Sequence, residues 1–441
     1  MLEGYLSKST KSSALWKRAK DVFSGGVNHN IRTFGMVTCG AYPPFMAQGN
    51  GSRIWDVDGN EYVDWWMTHY SEILGHNNPS VKKAIVRQLD NGVHLGALNE
   101  HQVVLAERIK QAIPVMEKMR FCTTGSESTM YAARLARLFT GRPLVAKALG
   151  GWHGGNDALS YHLGYPFTDE PLYDGMSFDY NDRDSVDRLI KEHGSQLAAI
   201  IVEPVLGAGG AIPPEPDFLP YLREVTQQHD ILLIFDEIVT GFRLSYGDAG
   251  TRVFGVKPDM LTLGKVAGGG MPLGVYGGRE DIMALAAPGA VGGRWVGGGT
   301  FSSHPLTMVA GIAALTELES RKAAYPQLNS RGDRFRRSIN EIFHATGFSG
   351  LATGLGSITF ITMLSEQVQT DHLTGSVLGK AMDHHRQDIF QGLLMERGVF
   401  GYHGLGAMSF AHTDADVKTT LQAVSDTVRN SHLHVKPEPK H

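Results

Sequence analysis

Two residues in this chain stand where side chains could do chemistry. Asp236 follows the apolar run 231–235, and Lys265 follows the run 261–264, just ahead of Gly268-Gly269-Gly270. A short unbroken apolar run reads as a strand buried on both faces. Open α/β sheets take their ligands outside the carboxyl ends of such strands. An acid and an amine presented from two strand ends suit one chemistry well. The amine can form a Schiff base with an aldehyde, and the carboxylate can keep a pyridinium nitrogen protonated. Lys265 and Asp236 are thus candidate catalytic residues of a pyridoxal phosphate (PLP) site. On these two residues alone, an ordinary buried acid and a solvated lysine remain an equal alternative.

Other positions invite paired readings. A short strand at 119–122 meets Thr123-Thr124-Gly125-Ser126-Glu127-Ser128, with a helix expected over 129–139. Strand, small polar turn and helix together aim free N–H groups at an anion, although a plain helix cap carrying Glu127 would look the same. Trp152 sits among glycines after the apolar run 144–149, where a flat ring can stack on a planar ligand or close the core. Glu203 ends the run 197–202 as a supporting acid or a structural one. Arg32 is either a surface cation or a grip for a carboxylate. The cluster Trp65, Trp66, His69 and Tyr70 reads as core or as pocket wall. Six glycines within residues 286–300 exclude a helix there.

The segments Asp236-Glu237-Ile238-Val239-Thr240-Gly241-Phe242-Arg243 and Gly264-Lys265-Val266-Ala267-Gly268-Gly269-Gly270-Met271-Pro272-Leu273-Gly274 resemble the signature of the class III PLP-dependent aminotransferases. Within that family they are similar to the glutamate-1-semialdehyde aminomutase branch, and the resemblance runs over about residues 24–414. It implies the PLP-dependent transferase fold type I. An α/β large domain at 76–325 would hold a mostly parallel seven-stranded sheet between helices, and residues 1–75 and 326–441 would build a smaller α+β domain. It also implies that Thr124, Gly125 and Ser126 hold the cofactor phosphate, that Trp152 lies on one ring face, and that Glu203 stands nearby. Ile238, two residues beyond Asp236 on an extended chain, should point to the same side as Asp236 and pack on the other ring face. Thr300 would reach across a homodimer interface to the partner's phosphate, and Arg32 would bind a substrate carboxylate.

The chain departs from the aminomutase pattern in two places. His29 and Asn30 replace a serine and a proline, and Met67-Thr68-His69-Tyr70 stands where Gly-Ser-Trp-Gly is usual. His29 and His69 are therefore expected beside the substrate. The departures turn the expectation toward an intermolecular aminotransferase acting on an amino acid, a β-amino acid or another non-standard amine, with a 2-oxo acid as acceptor. Intramolecular transfer, as in the aminomutase itself, is the alternative. A racemase or epimerase on the same scaffold is a weaker one.

Composition narrows the field further. The 441 residues suffice for more than one domain, and a net charge of −4 offers no basic footprint for nucleic acid. Two cysteines, Cys39 and Cys122, provide no disulfide framework, so a reducing, cytoplasmic setting is expected. No run approaches the ~20 apolar residues of a membrane span, the N-terminus lacks a signal-like core, and no metal is expected. Periodicity predicts helices over 9–22, 79–89, 99–113 and from the segment 302–305 through about 319 and beyond, and a hairpin over 53–64 turning at Asp58-Gly59. A strand at 408–410 should precede a capped closing helix, and the tail 435–441 should be disordered.

Overall fold

Seven short strands, rich in apolar residues, pair into the sheet that carries the candidate residues. A computed structural model describes residues 2–167, 169–172, 175–290, 297–401, 406–430 and 433. The strands are β1 (Lys118–Cys122), β2 (Leu144–Ala148), β3 (Gly175–Phe178), β4 (Leu197–Val202), β5 (Leu232–Asp236), β6 (Met260–Gly264) and β7 (Gly274–Gly278), in the order β1-β7-β6-β5-β4-β2-β3. All pairs are parallel except those of β7, which runs against both β1 and β6. Reversing direction twice across β7 leaves β1 aligned with the others. The carboxyl ends of β1, β2, β4, β5 and β6 therefore share one edge of the sheet.

Every residue of β2, β4, β5 and β6 is buried, as expected of parallel strands covered on both faces. The helix Gly125–Thr140 covers part of one face, where Ala132, Leu135 and Ala136 join Val145, Ile201, Ile234 and Tyr276 in one apolar cluster. This helix starts four residues earlier than periodicity predicts. Thr124 and Glu127 form a reciprocal capping box that nucleates it at Gly125.

This sheet belongs to a compact unit made of residues 79–327 and 368–380. The stretch 368–380 falls outside the expected large domain, and side chains attach it there. Asn181 Nδ2 donates to the Leu373 carbonyl at 3.1 Å, Thr374 Oγ1 donates to Asp179 at 3.1 Å, and His372 meets Glu215 at 2.6 Å.

The second unit comprises residues 1–78, 328–367 and 381–441. It holds a four-stranded sheet, Met46–Asn50, Arg53–Asp56, Glu61–Asp64 and Val399–Phe400, and a three-stranded antiparallel sheet, Gly350–Thr353, Ile358–Met363 and Gly406–Ala407. The predicted hairpin forms, its turn closed by Asp56 accepting the N–H groups of Asp58 and Asn60. Trp65 stacks on Phe335 at 4.2 Å, and Ser52, Arg53 and Thr413 converge on the buried Asp416. The expected strand at 408–410 does not form; the strand is Gly406–Ala407 instead. The Ser409 N–H is taken by His412 Nδ1 at 3.0 Å, which ends the ladder. Residues 435–441 and 291–296 lie outside the described residues. Among those described, no helix is long and apolar enough to cross a membrane, and no cluster of three or more metal-ligating side chains occurs.

Candidate active site

The shared edge of the sheet brings an acid and an amine together. Asp236 ends β5 and is 3 % exposed. Its Oδ1 accepts the Thr262 hydroxyl from β6 and the Ile238 N–H, both at 3.1 Å, and its Oδ2 meets His153 Nδ1 at 2.7 Å. His153 is buried, and its other ring nitrogen, Nε2, has no partner among the described residues. Lys265 follows β6 directly, at φ +42, in the left-handed region that costs a non-glycine residue about 1–3 kcal/mol. Burial holds its amine below the usual lysine range, while the charges of Asp236 and Glu203 oppose that shift. The side chain is half-buried, and among the described residues its Nζ makes no hydrogen bond or ion pair.

His153 was not singled out by sequence reasoning. The only local sign of it was a ring nitrogen next to Trp152 in a glycine-rich strand end; its acid partner lies 83 residues away.

Trp152 stands in the turn just past β2 and is 36 % exposed as a residue. Its backbone N–H donates to Glu203 Oε1 at 3.0 Å, and Gly207 N–H donates to Glu203 Oε2 at 3.0 Å. Burial raises the Glu203 carboxyl, with His153 and Asp236 acting in opposite senses. Glu203 thus bonds backbone and fixes the turn carrying Trp152.

The helix N-terminus at Gly125 is drawn toward these groups by glycines. A methyl on Gly154, which has φ +87, would lie 2.3 Å from Ser126 Oγ and 2.5 Å from Ser126 Cα, so only glycine permits this approach. Gly155 N–H then donates to Ser126 Oγ at 3.1 Å. Thr124 is engaged in the capping box, and Glu127 Oε2 takes the N–H groups of Thr123 and Thr124. The N–H groups of Gly125 and Ser126 keep no acceptor among the described residues.

Ile238 does not continue an extended chain as expected, because Asp236 Oδ1 captures its N–H and curls the backbone. Its Cδ1 would lie 3.1 Å from a methyl on Gly125 and 3.1 Å from one on Gly264, so it is wedged between the helix start and the end of β6. Thr300 is exposed, and a methyl on the adjacent Gly299 would come within 3.8 Å of Glu127 Oε1.

His29, Arg32 and His69 belong to the second unit. Arg32 is exposed in the turn Asn30–Thr33, and its guanidinium has no partner among the described residues. His29 Nδ1 caps that turn by accepting the Ile31 N–H at 3.4 Å. His69 stacks on Trp66 at 4.4 Å. It sits within Met67–Tyr70, four consecutive non-glycine residues with φ from +44 to +69. A left-handed turn of this kind costs roughly 1–2 kcal/mol per residue.

The residues on the sheet edge fit PLP. A half-buried amine without a partner suits an aldehyde, and a buried acid braced by Thr262 and His153 suits a ring nitrogen. Two free N–H groups at a helix start suit a phosphate, and an exposed indole suits a flat ring.

Residues 38–399 match the model of the family Aminotransferase class-III. The chain is 38% identical over 425 residues to the glutamate-1-semialdehyde 2,1-aminomutase of Methanosarcina acetivorans, covering 94% of this chain and 97% of the relative. Among solved structures it is similar to a β-phenylalanine aminotransferase from Variovorax paradoxus, with a TM-score of 0.86 and 30% identity over 97% of this chain and 95% of the other. It is also similar to a transaminase with PLP bound, with a TM-score of 0.85 and 25% identity over 96% and 98% of the two chains. A free lysine amine and a braced acid at neighbouring strand ends are what such a cofactor needs, and the chain accordingly belongs to the class III aminotransferases, PLP enzymes of fold type I.

Proposed function

We propose that this enzyme moves an amino group within one small carboxylate-bearing substrate, as the glutamate-1-semialdehyde 2,1-aminomutases it is similar to are named for doing. This reverses the preference drawn from the sequence. Likeness to that aminomutase over nearly the full length of both chains outweighs the departures at His29, Asn30 and 67–70. The observation that carries amino transfer itself is the Lys265 amine, half-buried and without a partner beside Asp236.

PLP, when bound, supplies an aldehyde that captures an amine and a ring that accepts the electrons of a deprotonated carbon. Lys265 would hold the cofactor, and its amine would carry a proton away from the substrate carbon and return it elsewhere. Its depressed affinity for protons suits an amine that must work as a base near neutrality. Asp236 keeps a proton at the ring nitrogen, with His153 and Thr262 fixing the carboxylate. Gly125, Ser126 and the turn at Thr124 receive the phosphate. Trp152 and Ile238 confine the ring, and Glu203 holds the Trp152 turn. Arg32 receives the substrate carboxylate, with His29 and His69 beside it.

A homodimer with Thr300 at the interface belongs to the same reading. Leu98, Phe301, Val93 and Leu95 are 89%, 56%, 54% and 53% exposed, and such apolar side chains favour burial against a second copy. A cytoplasmic setting rests on the two free cysteines.

A second reading, intermolecular transfer from a β-amino acid, is favoured by the ring-lined turn Met67–Tyr70 and by the Variovorax likeness. The two separate cleanly. With glutamate-1-semialdehyde and no added donor or acceptor, the intramolecular reading requires an isomer with the amino group on carbon 1. No isomer, together with amine transfer from a β-amino acid to a 2-oxo acid, would establish the second.

A further inference from the structure

The large unit contains a second desolvated lysine that the proposed chemistry does not use. Lys147 lies inside β2 and is 0 % exposed. Its Nζ donates to the Gly151 carbonyl at 2.8 Å and stands 4.9 Å from the centre of the Tyr161 ring. The N–H of the same peptide unit, that of Trp152, donates to Glu203 Oε1 at 3.0 Å. One peptide plane is therefore gripped on its carbonyl edge by an ammonium and on its amide edge by a carboxylate. The residues that follow it are Trp152 and His153, the latter bonded to Asp236.

We propose that Lys147 is a positioning residue: with Glu203 it grips the Gly151–Trp152 peptide from both edges and so sets where Trp152 and His153 stand. A fully buried ammonium is costly, and it persists only where fixed dipoles and an opposite charge compensate. Here the compensation passes through a peptide dipole, which aligns with the field between the two charges. The bond on the carbonyl edge is charge-assisted, and such bonds are roughly twice as strong as neutral ones.

Burial pushes the Lys147 amine down to about 8, while Glu203 and Asp169 pull the other way. The groups facing it are Glu203 beyond β4, Asp169 on the loop before β3, and the Tyr161 ring, whose hydroxyl burial holds well above its usual range. Below about pH 8 the grip is charged; above it, an ordinary neutral bond remains.

The proposal rests on the PLP reading, and its test separates the two. The emission difference between the full-length chain and its Trp152→Phe variant is followed from pH 6 to 9.5, with and without added PLP. A step centred near pH 8 is expected without PLP, absent in Lys147→Met and absent in Lys147→Arg, which stays in the low-pH state. PLP should bind about ten-fold more weakly to Lys147→Met at pH 7, the equivalent of one hydrogen bond to a charged group. The difference from the parent should narrow above pH 9, where only a neutral bond is lost, and Lys147→Arg should retain most of the affinity.

A step unchanged in Lys147→Met, or PLP affinity lost equally in Lys147→Arg and Lys147→Met at every pH, would overturn the grip. If the PLP reading fails instead, the step persists without ligand while PLP alters nothing at Trp152. Should Lys147→Met not fold, Glu203→Gln and Lys147→Arg read the same two edges.

Discussion

Lys147 and Lys265 are the same residue on the same sheet, and both are desolvated, yet they differ in everything that matters for reactivity. Lys147 sits within the strand Leu144–Ala148, buried completely, its amine committed to the Gly151 carbonyl and the Tyr161 ring. Lys265 sits one residue past the strand Met260–Gly264, on a strained backbone at φ +42, half-buried and with an amine bonded to nothing among the described residues. Burial lowers the proton affinity of both. A depressed lysine is therefore not by itself a reactive one. What separates them is that the Lys265 amine has no partner among the described residues and stands on a strained backbone.

The largest expected effect breaks that comparison directly. Reduction with borohydride in the presence of PLP should label Lys265 and leave Lys147 unlabelled, as peptide mapping would show. Lys265→Ala should abolish the label and reduce turnover by roughly four orders of magnitude or more, with little change in melting temperature. Label on Lys147, or turnover surviving in Lys265→Ala, would end the distinction.

Asp236→Asn keeps the shape of the side chain and removes its charge. Turnover should fall roughly 10²–10⁴-fold, because the ring nitrogen loses its acid while Thr262 keeps its acceptor at Oδ1 and His153 faces an amide NH2 in place of the second carboxylate oxygen. A comparable loss in Glu203→Gln would show that the two acids share the role.

The pH dependence of stability sharpens the contrast from the side of Lys147. Its folded-state value of about 8 lies below the ordinary 10.5. Between these values the unfolded chain binds a proton that the folded chain does not, so stability rises with pH across that window. The gain attributable to Lys147 approaches roughly 3 kcal/mol at its upper end. Denaturant titrations at pH 7.5 and 10 should show it in the parent chain and not in Lys147→Met. An equal rise in both would mean that Lys147 is not the group responsible.

The smallest effect concerns what surrounds the lysines rather than the amines themselves. Gly154→Ala places a methyl against Ser126 and should cost about 1–3 kcal/mol of stability. It should also weaken PLP binding by parting the Trp152 turn from the helix start at Gly125. Unchanged affinity for PLP would separate that helix from the site.

The reactive pair was legible because it interrupts a pattern. A charge that ends a short buried-strand pattern is visible without tertiary structure: Asp236 closes the apolar run 231–235, and Lys265 closes the run 261–264, which Thr262 alone makes less than fully apolar. The capping signature Thr124-Gly125-Ser126-Glu127 was also written in the chain, although the helix start was placed later than Gly125. The strand expected at 408–410 was misplaced because a side chain, His412, takes the backbone donor that the ladder would have needed.

The partners were not legible. His153 meets Asp236 across 83 residues, and Lys147 and Glu203 find opposite edges of one peptide from different strands. By itself the sequence determined which strands are buried, where they end and which ionisable groups stand at those ends, since hydrophobic periodicity and turn chemistry are local. Only the tertiary structure decided which of those groups are braced and which amine is left free. Pairing depends on strand order, and no property of neighbouring residues encodes that order.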